Sequence, residues 1–553
     1  MEERRRIAGS IRLLMVLWVT SLAVSCSYQD MEVDLIVHNA RIYTVDGAAR
    51  VVEAMAVDSG RLVALGAERE ILNAYTADQM VNAEGRAIYP GFIDSHTHFI
   101  EYGLRASALD LSTATSWDEC LQMIAEYRDT HPTGWILGGS WDQNNWQDKT
   151  FPDNAALDSI VPDRPVLLNR VDLHAAIANT NALELAGIRG ATRVRGGEVQ
   201  LDDEGRPTGI LIDRAVDLVS RFIPVPDEEQ LKEAIRVAEQ DCFEYGLTAV
   251  VEAGLDTNKI SILDRMSSSG ESKIRVYAML EASYEGLSFM KKGKILKDRF
   301  SVRSVKIFSD GALGSRGAAL KRHYHDHPEG KGTILHQPVF FRQWAALCDL
   351  YDFQLNTHCI GDRASQLLLA IYGDQLEGTN DKRWRIEHAQ VITGKDMQKF
   401  GRFNILPSVQ PTHAVSDMPW AEDRLGPERI TGAYANRTLL EQNGIIFLGT
   451  DFPVESPEPL RTFYAAVYRK NEQGEPSDGW YPEEALSREQ TLMGMTIWGA
   501  IGMFWEDRIG SLEVGKEADF IIMDRDIMTC PEEDIMKAKV QKTYVHGEEV
   551  FSR

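Results

Sequence analysis

YPGFIDSHTHF, residues 89–99, reads as a short apolar strand. Ala87 and Ile88 lead into Phe92 and Ile93, Pro90-Gly91 interrupts the run, and Asp94, Ser95, His96, Thr97 and His98 close it. Residues i and i+2 of a strand face the same side, so His96 and His98 can hold one ion between their imidazoles. A His-x-His tripeptide alone is weak evidence for a ligand pair. Its weight comes from what the rest of the chain repeats.

From about residue 228 the chain alternates helix and strand. LKEAIRVAEQDCFEYG is an amphipathic helix and LTAVVEAG a buried strand. KIRVYAMLE, RSVKIFSDG, FQLNTHCIG, WRIEHAQ, NILPSVQP and IIFLGTDFPV follow as apolar runs of strand length that end on polar residues or glycine. One buried strand per helix argues for parallel βα units. With the histidine strand first, the runs ending near residues 98, 253, 281, 310, 361, 389, 411 and 453 make eight. Eight is the number that closes a (β/α)8 TIM barrel, whose active-site residues lie at the C-terminal ends of the strands.

The termini read differently. DLIVHNARIYTVD (34–46) alternates as strands do, and AMAVDSGRLVALG (54–66) is a hairpin turning at Asp58-Ser59-Gly60. IGSLEVGKEADFIIMDRD (509–526) and KVQKTYVHGEEVF (539–551) have the same strand-and-turn character. Residues 31–88 plus 506–553 are therefore expected to form one composite β-sandwich around a barrel at 89–505. Between about 101 and 240, helical candidates such as Trp117–Thr130 alternate with loops like GGSWDQNNWQDKTFP (138–152), which reads as an inserted α+β subdomain roofing a cavity. The expected fold is α/β: a distorted (β/α)8 barrel, the composite sandwich and the insertion.

Polar residues stand where the buried runs end. His96 and His98 close the first, Lys306 lies in the fourth, His358 ends the fifth, His388 the sixth and Asp451 the eighth. Four imidazoles, a carboxylate and an amine are costly to bury unpaired, and a metal cluster satisfies them together. A lysine neutralised by burial and neighbouring positive charge can add carbon dioxide, and the resulting carbamate offers two oxygens to bridge two ions.

DSHTHF, VKIFSDGALGSRGAAL, NTHCIGDRA, RIEHAQ, GTDFPVE and GSLEVGKEADFIIMDRD together resemble the amidohydrolase superfamily, specifically its YtcJ-like branch (amidohydrolase family 3), which includes N-substituted formamide deformylases. The resemblance covers nearly everything after the N-terminal segment. It implies a distorted barrel with a composite sandwich. It also implies that His96 and His98 hold the more buried metal, Lys306 as carbamate bridges, His358 and His388 hold the second metal, and Asp451 touches the first while serving as acid and base. One or two Zn2+ per chain are the implied cofactors, and hydrolysis of an amide, formamide or cyclic amide the implied reaction. An esterase or deaminase on the same scaffold, or a small-molecule-binding lipoprotein without turnover, are the alternatives. Candidates for substrate contact are His174, Arg316 and Trp141, with Asp310 beside the lysine strand and Asp362 placed to orient His358. Around His174, Leu173, Ile177 and Ala178 depart from the commoner family pattern, which bears on substrate identity more than on reaction class.

The 553 residues, 26% charged and 44% hydrophobic, suit a large soluble protein, and the net charge of -24 without a basic stripe excludes nucleic acid as an expected partner. Arg4, Arg5, Arg6 and Arg12 precede an apolar segment, 13–24, too short to span a bilayer. It ends in Ala23-Val24-Ser25-Cys26, which resembles a bacterial lipoprotein signal with Cys26 as the lipidated residue. Export and lipid anchoring at the bacterial cell envelope are the expected location, the lipid the one expected membrane contact, a small-molecule substrate the expected ligand, and a homodimer the oligomer to test. The five cysteines that follow lack any Cys-x-x-Cys pair and suggest neither a disulfide framework nor a structural zinc site.

Overall fold

A computed structural model describes residues 31–553, apart from 107, 144–145, 171–174, 195–196, 315, 377 and 379. The signal-like segment with Cys26, and His174, lie outside the described residues. Among those described, no helix is long and apolar enough to cross a membrane.

Eight parallel strands form the central sheet: β1 (Phe92–Thr97), β2 (Leu247–Leu255), β3 (Arg275–Glu281), β4 (Phe300–Phe308), β5 (Gln354–Cys359), β6 (Arg385–His388), β7 (Leu406–Val409) and β8 (Phe447–Leu448). Neighbours in the sheet are neighbours in sequence, the mark of a singly wound barrel, and nearly every strand residue is buried, which is why the strands read as apolar runs. The last strand is only two residues long, and just beyond it Gly449 passes close to β1: a Cβ there would lie 2.7 Å from the His96 amide nitrogen. β8 and β1 are joined by bonds just past the end of β8. Asp451 N donates to His96 O and His98 N to Phe452 O, both at 2.8 Å, and the buried Asp94 carboxylate accepts from Thr450 N and Oγ1.

β1 departs from simple alternation. Asp94 pairs with Val250 and Thr97 with Glu252, so three steps on β1 oppose two on β2, a bulge that re-aims Ser95 and His96. The chain then enters a helix, Phe99–Ala106, whose first amide, Phe99 N, is capped by the Glu252 carboxylate. That helix lies so close to Glu228–Glu244 that a Cβ on Gly103 would overlap the Ala234 carbonyl.

Two further sheets flank the barrel, the first built from the N-terminal part of the chain and the second from both ends. One orders Arg61–Gly66, Ala54–Asp58, Met31–His38 and Tyr75–Asn82. The other orders Glu548–Ser552, Val540–Val545, Phe520–Met523, Ala87–Pro90, Arg41–Tyr43 and Val51–Val52. Leu35, Val37, Val57, Ile88, Phe520 and Ile522 share the apolar core between them. The Ser59-Gly60 turn has positive φ at both residues, the conformation a two-residue hairpin requires. This unit is tied to the barrel by Arg275 at the start of β3. Its buried guanidinium donates from Nε to Asp519 Oδ2 at 2.6 Å and from Nη2 to Glu517 Oε2 at 3.0 Å. A six-stranded mixed sheet, from Leu109–Asp110 to Pro207–Asp213, is inserted between β1 and β2 with a core of its own.

Candidate metal centre

The C-terminal mouth of the barrel gathers His96, His98, Lys306, His358, His388 and Asp451. His96 is fully buried, with Nδ1 2.5 Å from Glu387 Oε2 and Nε2 3.0 Å from Lys306 Nζ. If Nδ1–H donates to Glu387, Nε2 carries the lone pair, and it stands 3.6 Å from Asp451 Oδ1. His98 Nε2 is 3.3 Å from the same oxygen. The His388 ring lies 4.8 Å from that of His96 and 4.5 Å from that of His358, and its Nδ1 is 2.8 Å from Gln410 Oε1, leaving Nε2 free.

Backbone geometry aims two of these groups. His388 has φ 69° and Asp451 φ 63°, left-handed values that are uncommon outside glycine and persist where the surroundings over-determine them. Beneath the mouth, Arg385 and Glu387 form a fully buried pair, with Nε 2.7 Å from Oε1. Arg385 Nη2 also donates to Ser95 O at 2.6 Å and Ser408 Oγ at 2.8 Å.

Burial sets the charge states. It pushes His96 down to about 4 and His358 to about 3, helped by the neighbouring Lys306 cation, and His388 well below its ordinary value, so the imidazoles are neutral at physiological pH. Lys306 is lowered to about 8 by burial, against the pull of Glu387 and Asp451. Burial opposes the Asp451 and Glu387 carboxylates. At Asp451 the hydrogen bond from His98 together with the other surrounding histidines outweighs it, and at Glu387 the Arg385 guanidinium together with His96 and Lys306 does, so both carboxyls are held below the ordinary value.

The donor set fits a divalent cation. His358 Nε2 and Asp451 Oδ1 are buried without a hydrogen-bond partner, and His96, His98 and Asp451 offer ligand atoms within 4.8 Å of one another. Ligands about 2.1 Å from one tetrahedral zinc stand ~3.4 Å apart, the spacing seen here between His98 and Asp451.

Other expected contacts fall elsewhere. Trp141, expected to wall the pocket, is fully buried in the inserted subdomain, its Nε1 donating to Leu168 O at 3.0 Å and its ring among Trp146 and Phe151. The Arg316 guanidinium is held by Asp326, which also pairs with Arg424, an ion pair of the loop rather than a free anion grip. Asp362, expected to orient His358, accepts instead from Lys321 N at 2.8 Å. Asp310 is buried and accepts from Ala319, Ile360 and Gly361 amides, pinning the 309–320 loop against the end of β5, with one oxygen 3.9 Å from His358 Nε2. Two groups escaped sequence reasoning. Glu387 was signalled by a charge pair, Arg385 and Glu387, inside a buried strand. His413 was signalled by Pro411, which starts a helix (Pro411–Leu425) directly after β7 and so puts its first turn at the mouth.

A nearly closed parallel barrel that gathers imidazoles, a lysine and an aspartate at its C-terminal mouth has the arrangement of a metal-dependent hydrolase. A profile described as "Amidohydrolase family" matches residues 79–551, and the chain belongs to that family. It is 32% identical to protein LONG AFTER FAR-RED 3 of Arabidopsis thaliana over 94% of this chain and 91% of that one. It is 29% identical to putative amidohydrolase YtcJ of Bacillus subtilis (93% and 99%) and 26% identical to N-substituted formamide deformylase of Arthrobacter pascens (93% and 97%). A crystal structure of an uncharacterized metal-dependent hydrolase from Pyrococcus furiosus superimposes with a TM-score of 0.75 at 26% identity, covering 90% of this chain and all of that one (100%).

Proposed function

We propose that the protein hydrolyses a non-peptide carbon–nitrogen bond, in a formamide, another N-acyl amine or a cyclic amide. The observation that carries the reading is the convergence of His96, His98, His358, His388, Lys306 and Asp451 on one barrel mouth, where His358 Nε2 and Asp451 Oδ1 are buried without a hydrogen-bond partner. The similarity to a formamide deformylase along almost the whole chain supports the bond class. A divalent cation bound there, Zn2+ being the first to test, supplies Lewis-acid polarisation of a carbonyl and brings a water's pKa toward neutrality. The chain's own residues do the rest. The imidazoles of His96, His358 and His388 present neutral nitrogens, and His98 Nε2 stands 3.3 Å from Asp451 Oδ1. Ionised Asp451 takes a proton from the attacking water and delivers it to the departing amine nitrogen, as general base and then general acid. Lys306, at about 8, has a neutral amine fraction able to add carbon dioxide.

The test is a panel of N-formyl and N-acyl amines, cyclic amides and esters with zinc-loaded protein and its Asp451→Asn variant. Turnover of amides is expected, with the variant silent even at zinc concentrations that restore its metal content. A fully active variant removes Asp451 from its role, turnover of esters alone moves the bond, and silence of the wild type across the panel favours a binding protein. We further propose that the mature protein is lipid-anchored at Cys26, supported by the Arg-rich, apolar, Cys-terminated N-terminal segment. Palmitate labelling lost in Cys26→Ala is the expected result, and labelling retained in that variant overturns it.

A further inference from the structure

Phe308, the last residue of β4, takes no part in the metal centre, yet it ends a strand whose other residues are nearly all buried and is itself 44% exposed. We propose that Phe308 forms one wall of a subsite for an apolar acyl substituent, so that the substrate is an N-acyl amine whose acyl group carries an alkyl or aryl chain. The inference rests on the hydrolase reading and narrows it, from several kinds of amide to one and from a bare formyl group to a larger acyl group.

Three observations carry it. Phe308 stands two residues after Lys306 on one strand, so both side chains leave the same face. Its ring centre lies 5.0 Å from Lys306 Nζ and 5.3 Å from the centre of the His358 ring, its register partner on β5. A large apolar ring left open beside imidazoles and an amine is surface that a ligand's apolar part can remove from water. The second observation is Leu335, 52% exposed, whose amide donates to Ser309 O at 2.9 Å and so brings it to the same edge of the mouth. One exposed apolar side chain is ordinary, whereas two on one edge, beside the metal ligands, make a surface. Third, the polar side of the reaction lies across the barrel. Asp451, which serves the departing nitrogen, follows β8, four strands away from β4. Between it and Phe308 stand His96, with Nε2 3.6 Å from Asp451 Oδ1, and Lys306, with Nζ 3.0 Å from the same Nε2. A carbonyl carbon held over these groups with its nitrogen toward Asp451 turns its acyl substituent toward Phe308.

The test measures kcat and KM of the zinc-loaded full chain on two sets of amides. In formanilide, acetanilide and phenylacetanilide the acyl group grows, and in N-methylacetamide and N-benzylacetamide the amine does. The wild type should prefer phenylacetanilide to formanilide. In Phe308→Ala that preference should fall about tenfold or more, chiefly through KM, with the zinc content of the wild type, while the ratio between the two acetamides moves by less than about twofold. Phe308→Leu, which keeps an apolar side chain, should recover part of the preference. A wild type that favours formanilide, or a Phe308→Ala protein that loses equally on all three anilides, overturns the acyl subsite and leaves the hydrolase reading intact. A loss confined to N-benzylacetamide overturns it as well, because the ring then serves the amine. Zinc lost from Phe308→Ala makes the ring a packing support for His358 and also counts against the proposal. Silence of the wild type on both sets and on the panel above overturns the hydrolase reading and this inference with it. A Phe308→Ala protein that fails to fold passes the decision to Phe308→Leu, where a loss graded with acyl size counts for the proposal and equal losses count against it.

Discussion

Glu387→Gln tests whether the layer beneath the mouth positions the metal ligands. The substitution keeps shape and removes charge from a carboxylate whose Oε1 lies 2.7 Å from Arg385 Nε and whose Oε2 lies 2.5 Å from His96 Nδ1. Breaking a buried ion pair costs roughly 3–5 kcal/mol, and the lower end applies because Arg385 keeps Ser95 O and Ser408 Oγ as acceptors. Removing the partner that orients a ligating imidazole costs about 10- to 100-fold in metal affinity. Urea unfolding of the apo protein should therefore show a loss of about 3 kcal/mol, and chelator competition a zinc Kd raised at least about tenfold. A second variant separates the two effects. Arg385→Met with Glu387→Leu removes both charges, so apo stability should return to near the wild-type value while the zinc Kd stays raised, since His96 still lacks its acceptor. Zinc affinity within about twofold of wild type in both proteins would refute the argument that Glu387 aims His96.

Gly449→Ala places a Cβ 2.7 Å from the His96 amide nitrogen and 2.8 Å from Asp94 Oδ1, contacts that only backbone movement relieves. A loss of roughly 1–3 kcal/mol in thermal or urea unfolding, with weakened zinc binding, is expected. Asp396, held by Lys321 at 2.7 Å, Lys399 at 2.8 Å and Thr393 at 2.8 Å, is raised by burial but more strongly lowered by these partners, so its folded pKa lies below the ordinary 3.8. A depressed carboxyl stabilises the fold above its unfolded pKa and loses that contribution as pH falls through the folded pKa. Asp396→Asn should thus be less stable than wild type by about 1–3 kcal/mol from pH 8 to 5, with the difference shrinking below about pH 4 in parallel urea titrations. Chelation should abolish turnover and lower Tm without unfolding the chain, because the barrel core is apolar and independent of the ligands; unfolding on chelation at room temperature would contradict this.

The barrel was legible because parallel strands buried on both sides are apolar by necessity, and helices such as Glu228–Glu244 announce themselves through amphipathic spacing. Period-2 reasoning put His96 and His98 together, but the bulge in β1 and the turn into the next helix are what place them, with ring planes 79° apart. Glu387 was overlooked because attention fell on the polar residues that end the buried runs, whereas Arg385 and Glu387 lie within one and satisfy each other there. His413 was hidden because it follows the strand end, in the first turn of a helix, where no strand periodicity marks it. Trp141 and Arg316 misled in the opposite sense. Aromatic and cationic side chains in loops look available for a ligand, and only packing against Leu168 and pairing with Asp326 show them engaged.

The site's dependence on closure follows from where its carboxylate sits. The side chains of His96 and His388 are each held by a partner, Glu387 and Gln410. Asp451 is located by its backbone instead: its own amide donates to His96 O, the residue after it accepts from His98 N, and Thr450 before it is clamped by Asp94. These bonds hold φ at 63°, and they are also the bonds that join the last strand to the first. The result is a carboxylate fixed through its backbone, its Oδ1 buried without a close hydrogen-bond partner, which suits a group that must accept and release a proton while facing cations. The seam of the barrel and the acid–base residue are thus one structural unit, and any change that opens the seam should displace Asp451 before it disturbs the imidazoles held by Glu387 and Gln410.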